Sequence, residues 1–158
     1  MVIVDLETTG FNPSTCKIIE VAALDTITKK TFQSLINPGI NIPIAITELT
    51  GITNAKVKNF PYFYEVKQDL LKFIHNKTII GYNVAFDKRF LVKEDNRFSC
   101  YSYKDYLKYI RKLDYDFVNC KLHTVAKFFN LKISNRHRAM GDVNLVYQLI
   151  QITGFDYE

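Results

Sequence analysis

Apolar and polar positions change their period along this chain. In Val2-Ile3-Val4-Asp5-Leu6-Glu7 an apolar run meets two acids separated by one residue. Strand alternation puts Ile3, Asp5 and Glu7 on one face and Val2, Val4 and Leu6 on the other. Residues 17–24 and 30–36 read as a second and a third strand, the former largely buried. Turn formers (Phe11-Asn12-Pro13-Ser14, then Asn37-Pro38-Gly39) bound them, and connections this short suit antiparallel neighbours. The chain is therefore expected to open as a three-stranded meander. From residue 44 the period lengthens. Residues 44–52 form a short helical piece closed by Gly51, and Phe63, Val66, Leu70, Phe73 and Ile74 recur at helical spacing over 62–75. The apolar run 78–82 is a fourth strand. A helix over 84–93, a weak fifth strand over 98–103, and helices over 104–112, 121–130 and 139–153 follow. Leu145, Val146, Leu149 and Ile150 share one face of the last helix. The order β-β-β-α-β-α-β-α-α predicts a mixed α/β fold with helices covering the sheet.

Composition changes this picture little. The 158 residues are read as one domain spanning 1–158, long enough for a proper core. A net charge of +5 suits a polyanionic partner without requiring one. The three cysteines, Cys16, Cys100 and Cys120, have no C-x-x-C spacing, which argues against a disulfide framework or a zinc site. No apolar run approaches the roughly 18 residues of a membrane span, and the acid-bearing first strand does not resemble a signal peptide. A cytoplasmic protein without membrane contact is the expectation.

The candidate chemistry lies in acids at element boundaries. Asp5 and Glu7 stand side by side at the end of a buried strand, where bare carboxylates are costly unless a cation pairs with them. A divalent metal and a Lys or Arg are both candidates. Asp87, in Asn83-Val84-Ala85-Phe86-Asp87, falls where the fourth strand passes into its helix. If that strand neighbours the first, Asp87 approaches the carboxyl end of the sheet, where open α/β sheets place ligands. Asp142 opens the last helix, and His137 lies in the loop before it. Taken singly, each acid reads better as an ion-paired strand residue or a helix-start acid favoured by the helix dipole.

Taken together, Asp5-Leu6-Glu7-Thr8-Thr9-Gly10, Asn83-x-x-Phe86-Asp87 and His137-Arg138-Ala139-x-x-Asp142 resemble the three motifs of the DnaQ-like 3′→5′ exonucleases of the DEDDh group. Leu49-Thr50-Gly51-Ile52-Thr53 resembles the segment that borders the 3′-terminal nucleotide in that family. The resemblance spans nearly the whole chain. It departs at Val143, where Ala is usual, at Tyr82, where many members have His, and over residues 95–119.

The resemblance implies a ribonuclease H-like fold, a five-stranded mixed sheet of order 3-2-1-4-5 with helices on both faces. It implies removal of nucleoside monophosphates from 3′ ends with two divalent ions, Mg²⁺ or Mn²⁺. Such ions take oxygen ligands and can activate water and stabilise the leaving oxygen. Asp5 is the implied bridging ligand, Glu7 and Asp142 complete the first metal site, and Asp87 acts directly or through water. His137 is the implied general base. Thr8, Thr9, Gly10, Phe11, Asn83 and Phe86 would receive the substrate, with Leu49 and Ile52 as an apolar wedge. Phe11, Leu49 and Ile52 suit plain core packing equally well. Lys88, Arg89, Arg136 and Arg138 are candidate phosphate contacts, although Arg89 reads better as solvated. The implied partners are single-stranded 3′ ends, DNA favoured over RNA, and a DNA polymerase or other nucleic-acid-processing protein. The alternatives are an exoribonuclease on short RNA and a nucleic-acid-binding or polymerase-docking module without turnover.

Overall fold

The structure, a computed structural model, describes residues 1–133 and 137–155. Its centre is β1 (Val2–Thr8). On one side lie the antiparallel β2 (Ile18–Asp25) and β3 (Thr31–Leu35). On the other lie the parallel β4 (Ile79–Gly81) and β5 (Tyr103–Asp105), in the order β3-β2-β1-β4-β5. The helices are α1 (Ile44–Thr50), α2 (Asn54–Val57), α3 (Phe63–Ile74), α4 (Ala85–Glu94), α5 (Tyr106–Ile110), α6 (Leu122–Phe128) and α7 (Ala139–Thr153). Strand order and helix placement agree with the sequence-based expectation.

The alternation of β1 decides the layering. Val2, Val4 and Leu6 join Phe63, Val66, Leu70 and Ile74 of α3 and Phe90 and Leu91 of α4 in one core. Ile3 joins Ala22, Leu24, Val125 of α6, and Ala139, Val143, Val146 and Leu149 of α7 in the other. Each large side chain fully buried this way contributes roughly 1.5–3 kcal/mol. Cross-strand pairs on the α7 face run Ile3↔Leu24, Asp5↔Ala22 and Glu7↔Glu20, so this face turns from apolar to acidic toward the end of β1. There the register slips between Glu7 and Thr8, an irregularity of the kind that re-aims side chains beside active sites.

Two expectations shift. The weak strand placed over 98–103 is not there; Asn96–Cys100 is a 3₁₀ turn and β5 begins at Tyr103. Asp95 accepts from the Arg97 N–H, and Phe98 is drawn wholly into the core beneath α3 and α4. An aromatic run was legible, but only the core decides that it bends inward. α5 is correspondingly shorter than 104–112, because Asp105 belongs to β5 and its carboxylate caps the helix through the Leu107 N–H. Among the described residues no helix is long and apolar enough to cross a membrane.

Candidate active site

β1 carries Asp5 and Glu7 to the carboxyl end of the sheet, and α7 crosses above them with Asp142 in its first turn. One carboxylate oxygen from each of Asp5, Glu7 and Asp142 falls within 4.8 Å of the others. The fourth acid, Asp87, is buried in the first turn of α4. The β1–β4 ladder ends at Ile3↔Ile80, and beyond it the Leu6 N–H donates to Asp87 Oδ1 at 3.1 Å. Asp87 thereby covers a main-chain donor that would otherwise be buried without a strand partner.

Electrostatics follow from this crowding. Burial pushes the Glu7 carboxyl up to about 8, with Asp142, Glu20 and Asp87 adding to the rise and Arg138 opposing it. Asp87 is likewise raised to about 8 by burial, against the hydrogen bond from Leu6. Asp5 is raised well above the carboxylate range by burial and then by Asp87, Asp142 and Glu7. Like charges brought together out of water favour the protonated form, and a cation among them reverses that preference. Three convergent carboxylates are also the oxygen donor set that hard divalent ions take, so these residues fit a divalent metal.

Opposite Glu7 stands Glu20, which has no solvent exposure. Its carboxylate takes a forked pair of bonds from Arg138, Nε at 3.0 Å and a terminal nitrogen at 2.7 Å. It also accepts from the Ala139 N–H at 3.0 Å and from Gln33 at 2.9 Å. α7 has no side-chain cap of its own; Glu20 supplies an acceptor to its first N–H from the sheet, where negative charge is favoured. These bonds hold the Glu20 carboxyl below its usual value despite burial. Arg138 was a candidate phosphate contact, and this is a correction: its guanidinium is committed to Glu20. We expect Arg138→Ala to cost about 3–5 kcal/mol, the usual penalty for stranding a buried charge, measured by urea unfolding. A loss within the ±0.5 kcal/mol typical of surface changes would show that Glu20 does not depend on it.

His137 precedes this anchor with a positive φ of 53°. Its ring meets that of His123 edge to face, with centroids 5.1 Å apart. His123, on α6, places Nε2 2.9 Å from Asp142 Oδ1. Sequence reasoning passed over His123 and Glu20, because a single His in a helix and a single Glu in a strand carry no spacing that marks them.

The loop after β1 is closed on itself. The Thr8 hydroxyl donates to the Gly10 carbonyl at 2.6 Å, and Thr9 Oγ1 accepts from the Lys17 N–H at 3.0 Å. A Cβ on Gly10 would lie 2.7 Å from Cys16 Sγ, so a larger residue there would require the Cys16 side chain to shift. Phe11 is 82% exposed and sits edge to face on Phe86, at 6.4 Å between centroids. Of the expected apolar wedge, Leu49 is 47% exposed, whereas Ile52 is wholly buried with Ile19, Leu35, Ile42 and Val57. Ile52 is thus corrected to a core residue, and Leu49 alone offers wedge surface. Asn83 adopts a left-handed conformation at φ 65°, which Asn tolerates, and its N–H donates to Asp105. Lys88 lies over the Tyr103 ring at 4.7 Å and Arg89 beside the Phe86 ring at 6.0 Å. Arg136 lies outside the described residues.

A mixed sheet of this order, with acids at the carboxyl end of its central strand and a further acid on the helix crossing it, defines the ribonuclease H-like class. Within that class the exonuclease family designated RNase_T matches residues 2–150, and the chain belongs to it, as one of the DnaQ-like 3′→5′ exonucleases. The DNA polymerase III subunit epsilon of Aquifex aeolicus is 31% identical over 156 residues, covering 94% of this chain and 77% of that protein. A PolC-type DNA polymerase III from Caldanaerobacter subterraneus subsp. tengcongensis is 34% identical over 154 residues. That match covers 94% of this chain but 11% of the polymerase, so the chain spans about a tenth of the PolC-type proteins it resembles. Among solved structures, E. coli exonuclease I in complex with a dT13 oligonucleotide superposes with a TM-score of 0.83 at 19% identity. It covers 98% of this chain and 40% of that one. Exonuclease X with 5′-overhanging duplex DNA gives 0.72 at 21% identity, covering 98% and 93%.

Proposed function

We propose that this chain removes nucleoside monophosphates from the 3′ end of DNA with two divalent cations, Mg²⁺ or Mn²⁺. The observation that carries this is the convergence of Asp5, Glu7 and Asp142 oxygens within 4.8 Å at the end of β1. Membership of an exonuclease family supports it. Asp5, Glu7 and Asp142 would hold the ions, and Asp87, pinned through Oδ1, would contribute directly or through water. Bound there, the ions supply an activated water and neutralise charge developing on the phosphate. His137 takes a proton from the attacking water, an imidazole being able to do so near neutrality. The Arg138–Glu20 lock one residue away fixes where the His137 loop is anchored. Phe11 and Leu49 present apolar surface to the terminal nucleotide, and stacking on a base face is tolerant of sequence. The names of the relatives favour DNA as the substrate and a DNA polymerase as the partner class.

A time course on 5′-labelled and 3′-labelled DNA and RNA single strands tests this directly. A 5′ label should yield a descending ladder, and a 3′ label should appear at once as mononucleotide. EDTA should stop both reactions and Mg²⁺ or Mn²⁺ restore them, with DNA cut faster than RNA. Full activity in excess chelator, or comparable cutting of circular single strands, would overturn the assignment.

A further inference from the structure

Most of the net positive charge of the chain falls in one stretch of sequence. Residues 104–133 hold seven lysines and arginines against three acids, a net +4 of the total +5. Elsewhere Lys17, Lys67, Lys72, Lys77, Arg97 and Arg138 pair with carboxylates. Among the described residues, no carboxylate lies within ion-pair distance of the exposed Lys112, Lys121 or Lys127. The same segment carries an aromatic cluster that the fold leaves at the surface. Tyr115 and Phe128 are each 46% exposed with ring centroids 5.6 Å apart, and both rest on the half-buried Phe129, at 5.3 and 5.2 Å. Phe117 closes the group against Phe128 at 4.9 Å. The cluster ties the loop before α6 to the end of that helix, which holds the exposed rings in fixed positions.

α6 joins this surface to the site. His123, near its start, touches Asp142, and Phe128, its last residue, lies about 7.5 Å further along the axis at 1.5 Å per residue. We propose that Tyr115 and Phe128, flanked by Lys112, Lys121 and Lys127, form a platform for single-stranded nucleic acid. It would hold nucleotides on the 5′ side of the bond cut at the acids. Unpaired cations meet phosphates, and exposed rings on rigid supports meet base faces, the combination that binds single strands without sequence preference. An exposed apolar patch alone would suit a protein partner equally; the three unpaired lysines close to it in sequence outnumber the exposed Asp114 and Asp116 beside Tyr115 and favour the polyanion.

The inference rests on the exonuclease reading, and its test keeps the two apart. Binding of a fluorescent single strand of about 20 nucleotides is measured in EDTA by anisotropy across a salt series, for wild type, Tyr115→Ala, and the surface charge variant Lys112→Gln/Lys127→Gln. Tyr115→Ala should bind roughly 5- to 150-fold more weakly, the range for losing one stacked base. The charge variant should lower the slope of log affinity against log salt by about 0.7 per lost phosphate contact. With Mn²⁺ added, the ratio of kcat/KM for the long strand to that for a dinucleotide should fall in both variants. Wild-type affinity, salt slope and length ratio in folded variants would overturn the platform and leave the surface to a protein partner. A wild type that binds the strand through these residues but cleaves nothing would sink the exonuclease reading instead and leave the platform standing.

Discussion

Asp5→Asn should reduce cleavage to background while the metal-free protein becomes no less stable. Asp5 is the residue on which the other acids converge, raised by burial and then by Asp87, Asp142 and Glu7. Replacing it with a neutral isostere removes an oxygen donor from the cluster and relieves repulsion at the same time. The pH dependence gives the sign. Glu7 and Asp87, at about 8 in the fold, keep protons that the unfolded chain releases near pH 4. Between those limits the folded state binds more protons, so stability in EDTA falls as pH rises from about 4 to about 8 and levels off above. Divalent metal should reverse that fall, since a ligand bound only by the folded state stabilises it. Asp5→Asn should flatten the fall, and its advantage over wild type should grow toward pH 8. Each kcal/mol of relieved repulsion is worth roughly 2–4 °C in Tm for a domain of this size. Melting curves in EDTA and in Mn²⁺ from about pH 4.5 to 8.5 read both effects. A variant that unfolds at every pH would make Asp5 a structural ion-pair partner.

His137→Ala should lower turnover roughly 10²- to 10⁴-fold, the usual worth of a positioned acid–base group, while metal binding and strand affinity stay near wild type. With metal saturating, the wild-type single-turnover rate should rise with pH as neutral imidazole accumulates. The variant should lose that limb. The competing role is a phosphate contact, and it has a different signature: weaker binding, the pH limb retained, and a saturated rate near wild type. His123 provides a control from the same neighbourhood, because its ring also lies at Asp142. If His123→Ala removed the pH limb and His137→Ala did not, the proton would belong to His123.

Much of this protein is legible in one dimension, because period and turn chemistry are local properties. Alternation in Val2–Glu7 placed Ile3, Asp5 and Glu7 on one face, and that face is the one α7 covers. Helical spacing from Phe63 to Ile74 predicted α3 and the side it buries. The order of acids, with Asp87 after a central strand and Asp142 in the first turn of the last helix, pointed to one site. Three of those carboxylates do converge.

What the sequence could not decide is which side chains meet across the fold. Arg138 is separated from Glu20 by 118 residues, and its forked pairing exists only because β2 runs beside β1 beneath the start of α7. Read alone, Arg138 was one cation in a basic loop. His123 gained a partner only when α6 packed beside α7. Leu49 and Ile52 share one motif and one chemistry, yet Leu49 is exposed and Ile52 lies in the core. Phe98 looked like a strand residue until burial beneath α3 and α4 claimed it. In each case the local pattern allowed two outcomes. Burial and charge pairing, which depend on neighbours brought together by topology, selected one.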